Sequence, residues 1–500
     1  MAIIELNEFL GLAAQYDKIP VARTLLSDGL TPVLALRKLG DCRYACLFES
    51  VVGGEKVGRY SFLGVDPHTV IRVFGNRIDV ESHEGTESFE SAQPLEFLRQ
   101  QVTKHSVAPR PDLPPLTGGA IGYFGYDVVR YFERLPSTPA DDRHLPDLAF
   151  GLFDQLVVFD HVYKTLSLIV LATPTAHASK EAAYDAAQKQ LDALETRLLD
   201  RQAELTPRRA EFAAAPELPF VSNFTQSQFE SAVRKCVEYI EAGDIFQVVI
   251  SQRFQAEVTC DPLELYRTLR VLNPSPFMFY LKLPEVTLIG SSPEIMCRVV
   301  DQEVTVRPLA GTRPRGKTPA QDLELEQELR SDPKECAEHV MLVDLGRNDV
   351  GRVAQVGSIK LPDIMIVERY SHVMHLSSTV VGRLRADCDS FDALGATLPA
   401  GTVSGAPKIR AMEIIDSLEP HKRGPYAGAV GYLDYRGNMD TCITLRTVVL
   451  QNGKAYVQAG AGIVADSNPT AEYQETVNKA RGLMRAISIT EANTSLASHS

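Results

Sequence analysis

Four carboxylates at helical spacing are the first residues of this 500-residue chain that could do chemistry. In segment 333–349 (PKECAEHVMLVDLGRND), Glu335, Glu338 and His339 stand at i, i+3 and i+4 on one polar face, and Pro333 suits a helix start. In 469–487, Glu472, Glu475 and Lys479 stand at i, i+3 and i+7. Each segment sets a Glu-x-x-Glu pair on one polar face, with Met341, Leu342 and Leu345 on the other side of the first helix. Carboxylates are hard oxygen ligands suited to magnesium, which typically takes one or two of them plus waters and substrate. Spacing alone favours the plainer reading, two solvated helix faces, because such pairs are common. His339 is not part of an HExxH string, so a zinc protease is not indicated.

Other glycine-rich and basic stretches could bind anions. Segment 460–465 (GAGIVA) matches G-x-G-x-x-A after a strand-like 455–459, but turn residues Asp466, Ser467, Asn468 and Pro469 follow where a dinucleotide site needs a helix. Its glycines would still let backbone N–H groups approach an anion. Segment 307–317 (RPLAGTRPRGK) is basic and reads either as a solvated loop or as a holder of a carboxylate substrate. Segment 402–408 (TVSGAPK) is a Gly/Pro turn with a lysine. Neither GxxxxGK[ST] nor GxSxG occurs, so a P-loop and a serine-hydrolase elbow are unsupported.

The elements that must position these residues read as α+β. Strand-like runs cover 31–36, 43–49, 69–74, 118–126 and 164–171, with a turn at Gly53-Gly54 and a Pro-rich loop at 108–115. A charged helix is expected at 180–205. A Pro- and Ala-rich linker at 206–223 separates an N-terminal domain, 1–205, from a second one at 224–490, with a polar tail at 491–500. The second domain opens with a helix. Thr225 and Gln228 form a capping-box pair, Phe229, Val233, Cys236, Val237 and Ile240 make one apolar face, and Gly243 stands at the C-cap. Strands follow at 246–254, 277–283, 286–291 and 303–307, without the regular alternation of a parallel βαβ fold.

Composition bounds the class. With 51 basic and 64 acidic residues the net charge is −13, which disfavours nucleic-acid or anionic-membrane binding. The 8 cysteines are scattered without a CxxC pair, as expected of reduced packing thiols. No apolar run reaches the ~18 residues of a membrane span, and residues 1–15 lack a basic n-region, so the cytoplasm is the expected location.

Several long strings then resemble the chorismate-utilising enzymes, and within them most closely the anthranilate synthase component I group. They are 243–248 (GDIFQV), 273–279 (NPSPFMF), 290–294 (GSSPE), 307–316 (RPLAGTRPRG), 332–349, 370–376 (YSHVMHL), 401–412 (GTVSGAPKIRAM), 428–432, 440–446 (DTCITLR), 460–463 and 475–480 (ETVNKA). Weaker matches are 47–50 (LFES) and 58–64 (GRYSFLG). The resemblance implies layered antiparallel β-sheets flanked by helices, with chorismate and Mg2+ as ligands. It implies Glu338 and Glu475 as magnesium ligands, with Glu335 and Glu472 close by, which reverses the reading from spacing alone. It implies Gly311, Thr312, Tyr426, Arg446, Gly460, Ala461, Gly462 and Lys479 as substrate contacts. His375 is implied as a catalytic histidine, and Glu294 as the acid that helps the ring hydroxyl leave.

Within the family, relatives that add water use a lysine base where this chain has Gln247. Aminodeoxychorismate synthase has a nucleophilic lysine in a PIKGT string, where this chain has Ala310 in PLAGT. Both differences favour ammonia addition giving anthranilate and pyruvate. Aminodeoxychorismate synthesis and a non-catalytic regulatory subunit are the alternatives. The strings LFES and NPSPFMF resemble a tryptophan-feedback pocket, implying Ser50, Pro276, Phe277 and Met278 as inhibitor contacts. Phe48 and Phe277 there replace a usual leucine and tyrosine. The chain has no room for a glutaminase, so the resemblance implies a separate glutamine amidotransferase subunit, in a heterotetramer of two large and two small subunits.

Overall fold

Two strand faces of different partners, rather than one buried and one wet, define the architecture. In the computed structural model, which describes residues 4–40, 42–50, 58–200, 205, 216–370 and 373–497, two 12-stranded sheets pack on each other. Along Phe277–Lys282, Met278 and Tyr280 enter a core shared with helices, while Phe279 and Leu281 enter a core shared with the other sheet. Along Gly119–Phe124 in the second sheet, Ile121 and Tyr123 meet that inter-sheet core, and Ala120 and Phe124 face helices on the outside. Period-two alternation with both faces apolar yields four layers: helices, sheet, sheet, helices.

Every strand pair is antiparallel. In the first sheet Ala45–Glu49 pairs with Phe277–Lys282, placing Glu49 opposite Met278. Beyond it come Thr287–Ser292, Thr447–Gln451, Lys454–Ile463 and Gln247–Glu257. The second sheet runs from Leu309–Pro314 and Val373–Arg383 through Ile295–Val300, Met439–Ile443 and Ala429–Asp434 to Gly119–Phe124. The segments on either side of 206–223 therefore both contribute strands to both sheets.

Local chemistry explains the helices. Thr225 and Gln228 form the full capping box of Gln226–Glu241, and Phe229, Val233 and Cys236 are buried. The long helix starting at Lys180 ends at Leu199. The last helix runs Pro469–Ala497, so 491–497 continues it rather than forming a tail. Residues 31–36 are not a strand. Thr31 accepts from the Leu34 N–H at 3.2 Å and Pro32 takes the first turn of a helix, Pro32–Lys38. The Gly53-Gly54 turn lies outside the described residues, as does 206–215 of the linker. All eight cysteines are free thiols. Among the described residues no helix is long and apolar enough to cross a membrane.

Candidate active site

Asp332 caps the helix Pro333–Gly351, its carboxylate accepting from the Lys334 and Glu335 N–H groups at 3.0 and 3.2 Å. Glu338 on that helix accepts from the Gln247 side-chain amide, Nε2 to Oε1 at 3.2 Å. His339 does not share the polar face. It is fully buried toward the sheet, with Nε2 2.6 Å from the Ser378 hydroxyl.

The facing helix, Pro469–Ala497, brings the second pair of carboxylates. Glu475 is ion-paired to Lys479 at 2.6 Å, and Lys479 also donates to the Gly460 carbonyl at 3.0 Å. Burial, and then the neighbouring Glu475, hold the Glu472 carboxyl above its ordinary range. Lys334 feels both Glu338 and Glu472, so the two helices present their acids to one cleft.

Strands Lys454–Ile463 and Gln247–Glu257 form the floor, with Gly462 opposite Val249 and Gly460 opposite Ser251. The glycines are required sterically. A Cβ on Gly460 would sit 2.9 Å from the Tyr426 hydroxyl, and one on Gly462 2.7 Å from Gln247 Nε2. Ala461 between them faces the helices on the other side. As the sequence indicates, this is a strand and not a dinucleotide-binding turn.

Thr312 and His375 are cross-strand partners on the opposite wall. His375 Nδ1 lies 2.9 Å from the Gly311 carbonyl and 3.1 Å from Thr312 Oγ1. A carbonyl only accepts, so Nδ1 carries the proton and Nε2 is left as an acceptor. Burial pushes this imidazole down to about 4, with Arg446 and Lys479 adding repulsion. His375 is thus neutral at physiological pH.

Glu294 is buried, and burial pushes its carboxyl up to about 8. The Thr402 hydroxyl lies 3.2 Å from both of its oxygens, and the Leu309 N–H lies 3.4 Å from one. Arg446 lies near enough to attract it. Arg446 has no ion-pair partner among the described residues, and its φ of 46° is left-handed. A half-buried, unpaired guanidinium beside a protonated acid is suited to gripping a carboxylate.

The basic stretch 307–317 is neither a loop nor a free carboxylate holder. Leu309–Pro314 is a strand, and Arg313 is already paired with Glu328, Asp332 and Glu335 at 2.7 to 2.9 Å. Arg315 is likewise paired with Asp322 at 2.8 Å. Lys408 is committed too, to Asp349 at 2.7 Å. Thr402 is the contact that sequence reasoning missed. It lies in a quoted string, but only the fold places it on Glu294, 108 positions away.

Ser50 and residues 276–278 come together elsewhere in the first sheet. Glu49 is opposite Met278, and the adjacent Ser50 hydroxyl is buried without a partner among the described residues. Met278 is in turn opposite Ser291, whose N–H donates to the Arg446 carbonyl at 3.1 Å.

The donor set suits magnesium: Glu338 and Glu475 offer hard oxygens from facing helices, and the crowding of Glu472 by Glu475 is what a cation relieves. Among the described residues no group of three or more His, Cys, Asp or Glu is drawn tightly enough to hold an ion alone.

The paired sheets and this cleft are those of a chorismate-utilising enzyme: residues 46–485 match the family model for chorismate binding enzymes, and the chain belongs to that family. Within it, the chain is 50% identical over 493 residues to anthranilate synthase component 1 of Pseudomonas aeruginosa, covering 97% of this chain and 99% of that protein. It is 46% identical over 484 residues to the same component of Acetivibrio thermocellus, covering 96% and 98%. The solved anthranilate synthase component I of Streptococcus pneumoniae superposes with a TM-score of 0.76 at 39% identity, covering 92% of this chain and 99% of that one. The menaquinone-specific isochorismate synthase of Escherichia coli shares the fold, with a TM-score of 0.68 at 20% identity over 96% and 98% of the two chains.

Proposed function

We propose that this chain is the synthase component of an anthranilate synthase, converting chorismate and ammonia to anthranilate, pyruvate and water. The observation that carries the reading is Gln247. Its amide donates to Glu338 and cannot take a proton from water, whereas ammonia needs no activation to attack. Ala310 argues against the aminodeoxychorismate alternative, because it offers no amine for a covalent intermediate.

Arg446 grips the pyruvyl carboxylate and Lys479 adds positive charge beside Gly460. A magnesium ion held by Glu338 and Glu475, with Glu335 and Glu472 alongside, would neutralise and orient the ring carboxylate. Ammonia adds at C2 while the C4 hydroxyl leaves. Hydroxide is a poor leaving group, and Glu294, protonated below about 8, gives it a proton so that water departs. The adduct then loses its C2 proton and pyruvate. His375 presents an unprotonated Nε2 for that step, and the bound dicarboxylate would offset the Arg446 and Lys479 repulsion that weakens it as a base.

A partner glutamine amidotransferase supplies ammonia in the assembled enzyme, in keeping with the component 1 naming of the relatives. Tryptophan binding near Ser50, Pro276, Phe277 and Met278 provides feedback, and the reaction belongs to the cytoplasm. The test is anthranilate fluorescence from the purified chain with chorismate, magnesium and ammonium, with and without tryptophan. Magnesium-dependent anthranilate supports the reading. A different product from chorismate overturns it.

A further inference from the structure

The sheet face that carries Gly462, Gly460 and Gln247 continues beyond the cleft. Side chains on one face recur every second residue, so it passes through Gln458 and Ser251 to Tyr456 and Arg253. There two buried guanidiniums meet. Arg253 and Arg143 are 3% and 8% exposed, and lie over the same Tyr456 ring at 5.5 and 5.4 Å.

The charges around them do not balance. Asp142 pairs with Arg253 and lies 3.9 Å from His421. Arg143 has no ion pair among the described residues, and the one hydrogen bond its guanidinium makes there runs from Nη2 to the Arg423 carbonyl at 2.8 Å. Burial and then Arg253 push Arg143 down to about 10, with the attraction of Asp142, shared with Arg253, only partly opposing them. A buried charge without a counter-charge is costly, and a site evolves to supply one. Both arginines line a pocket with Tyr426, Thr444, Thr447 and Gln458. The Thr444 hydroxyl is buried there without a partner among the described residues and can donate; Gln458 Oε1 is also unpartnered there, but as an acceptor it offers nothing to an anion. The enclosed space is small, with room for about one water-sized species, which limits any occupant to a monatomic or similarly small one.

We infer that this pocket binds a small monoanion of about chloride's size between Arg143 and Arg253 with the Thr444 hydroxyl as a further donor, and that its occupancy fixes Tyr426. The link is residues 423–426. Arg143 holds the Arg423 carbonyl, and the Arg423 guanidinium lies 5.6 Å from the Tyr426 ring centre, whose hydroxyl meets Gly460. Gly424 has a φ of +60°, and a Cβ there would lie 2.6 Å from Arg143 Nη2. The coupling to turnover rests on the proposed role of Tyr426 in holding chorismate; the binding does not.

The test replaces gluconate, too bulky for the pocket, by chloride or formate at constant ionic strength. Thermal melting and ammonia-dependent turnover of the full chain are then followed. The expected result is a saturable rise in Tm and a fall in KM for chorismate of about fivefold, the low end of usual couplings, with kcat little changed. Competition between chloride and formate marks one shared site. Saturation by only one of them still supports the site and names its occupant. Arg143→Met should abolish saturation. Because that variant risks misfolding, Thr444→Val, which keeps both guanidiniums, should weaken half-saturation about tenfold. A Tm that rises linearly and equally with all three salts overturns the site, as an adventitious ion only. A saturable Tm with an unmoved KM overturns the coupling to Tyr426. If the chain makes no anthranilate, the melting titration still decides the pocket, and the failure falls on the proposed activity.

Discussion

Gln247 Nε2 lies 3.2 Å from Glu338 Oε1, and the other end of the same amide, Oε1, is buried without a partner among the described residues. The residue proposed to separate ammonia from water chemistry is thus in direct contact with a proposed metal ligand. Gln247→Lys should introduce a base at this spot. Anthranilate formation is expected to fall at least about tenfold, and a water-addition product to appear on chromatography of the chorismate products.

Glu294 makes a prediction about pH. Its carboxyl is held up to about 8 by burial, so the acid form persists through neutrality. kcat should fall as pH rises through about 8, and Glu294→Gln should lose roughly 100-fold or more in kcat. The stability effect has the opposite benefit. The unfolded carboxyl ionises in the ordinary glutamate range, about 4.3, so the folded state loses stability as pH climbs from there to about 8. At pH 8 the glutamine variant should therefore melt higher than the parent while turning over far more slowly.

Arg446→Lys should spare the fold and raise KM for chorismate about 10- to 100-fold, because lysine keeps the charge but lacks the planar fork. An equal loss for substrates with and without the pyruvyl carboxylate would contradict the grip assigned to Arg446.

Glu338→Gln should weaken magnesium binding at least about tenfold by isothermal titration and abolish turnover at ordinary magnesium concentrations. Chelation of the parent chain should reproduce the loss, and added magnesium should reverse it.

Phe277→Tyr restores a hydroxyl to the proposed feedback pocket and should lower the tryptophan concentration for half-inhibition about fivefold. The path to the site is short. Met278 is opposite Ser291, and Ser291 holds the Arg446 carbonyl. Ser291→Pro, which deletes that N–H, should blunt inhibition more than tryptophan binding.

Much of this was legible in residue order. Thr225 and Gln228 announce a helix because capping is local chemistry, and the strands at 69–74 and 277–282 declare themselves by β-branched or aromatic runs. At 31–36, valine and leucine content outweighed a Thr-Pro helix start. Helical spacing puts His339 with the acids because it gives a face but not its edge, and the sheet claims that position. Arg313 looked free because its partners Glu328, Asp332 and Glu335 stand on helices whose approach depends on tertiary packing. The resemblance named the cleft residues, and the fold brings His375 to Thr312 and Gln247 to Glu338. The contact of Thr402 with Glu294, and the interleaving of both chain segments in each sheet, depend on pairings that no local pattern records.

That interleaving bears on how the chain is made. Ala45–Glu49 finds its neighbour Phe277–Lys282 only after more than two hundred further residues have been synthesised. At about 5–20 residues per second, the emerging sheet holds an open edge for on the order of tens of seconds. An open edge is a template for pairing with the wrong chain. Nascent copies on one message should therefore be most vulnerable to sticking together in that interval, and a fragment ending at the linker should need its other half supplied in trans to stay in solution.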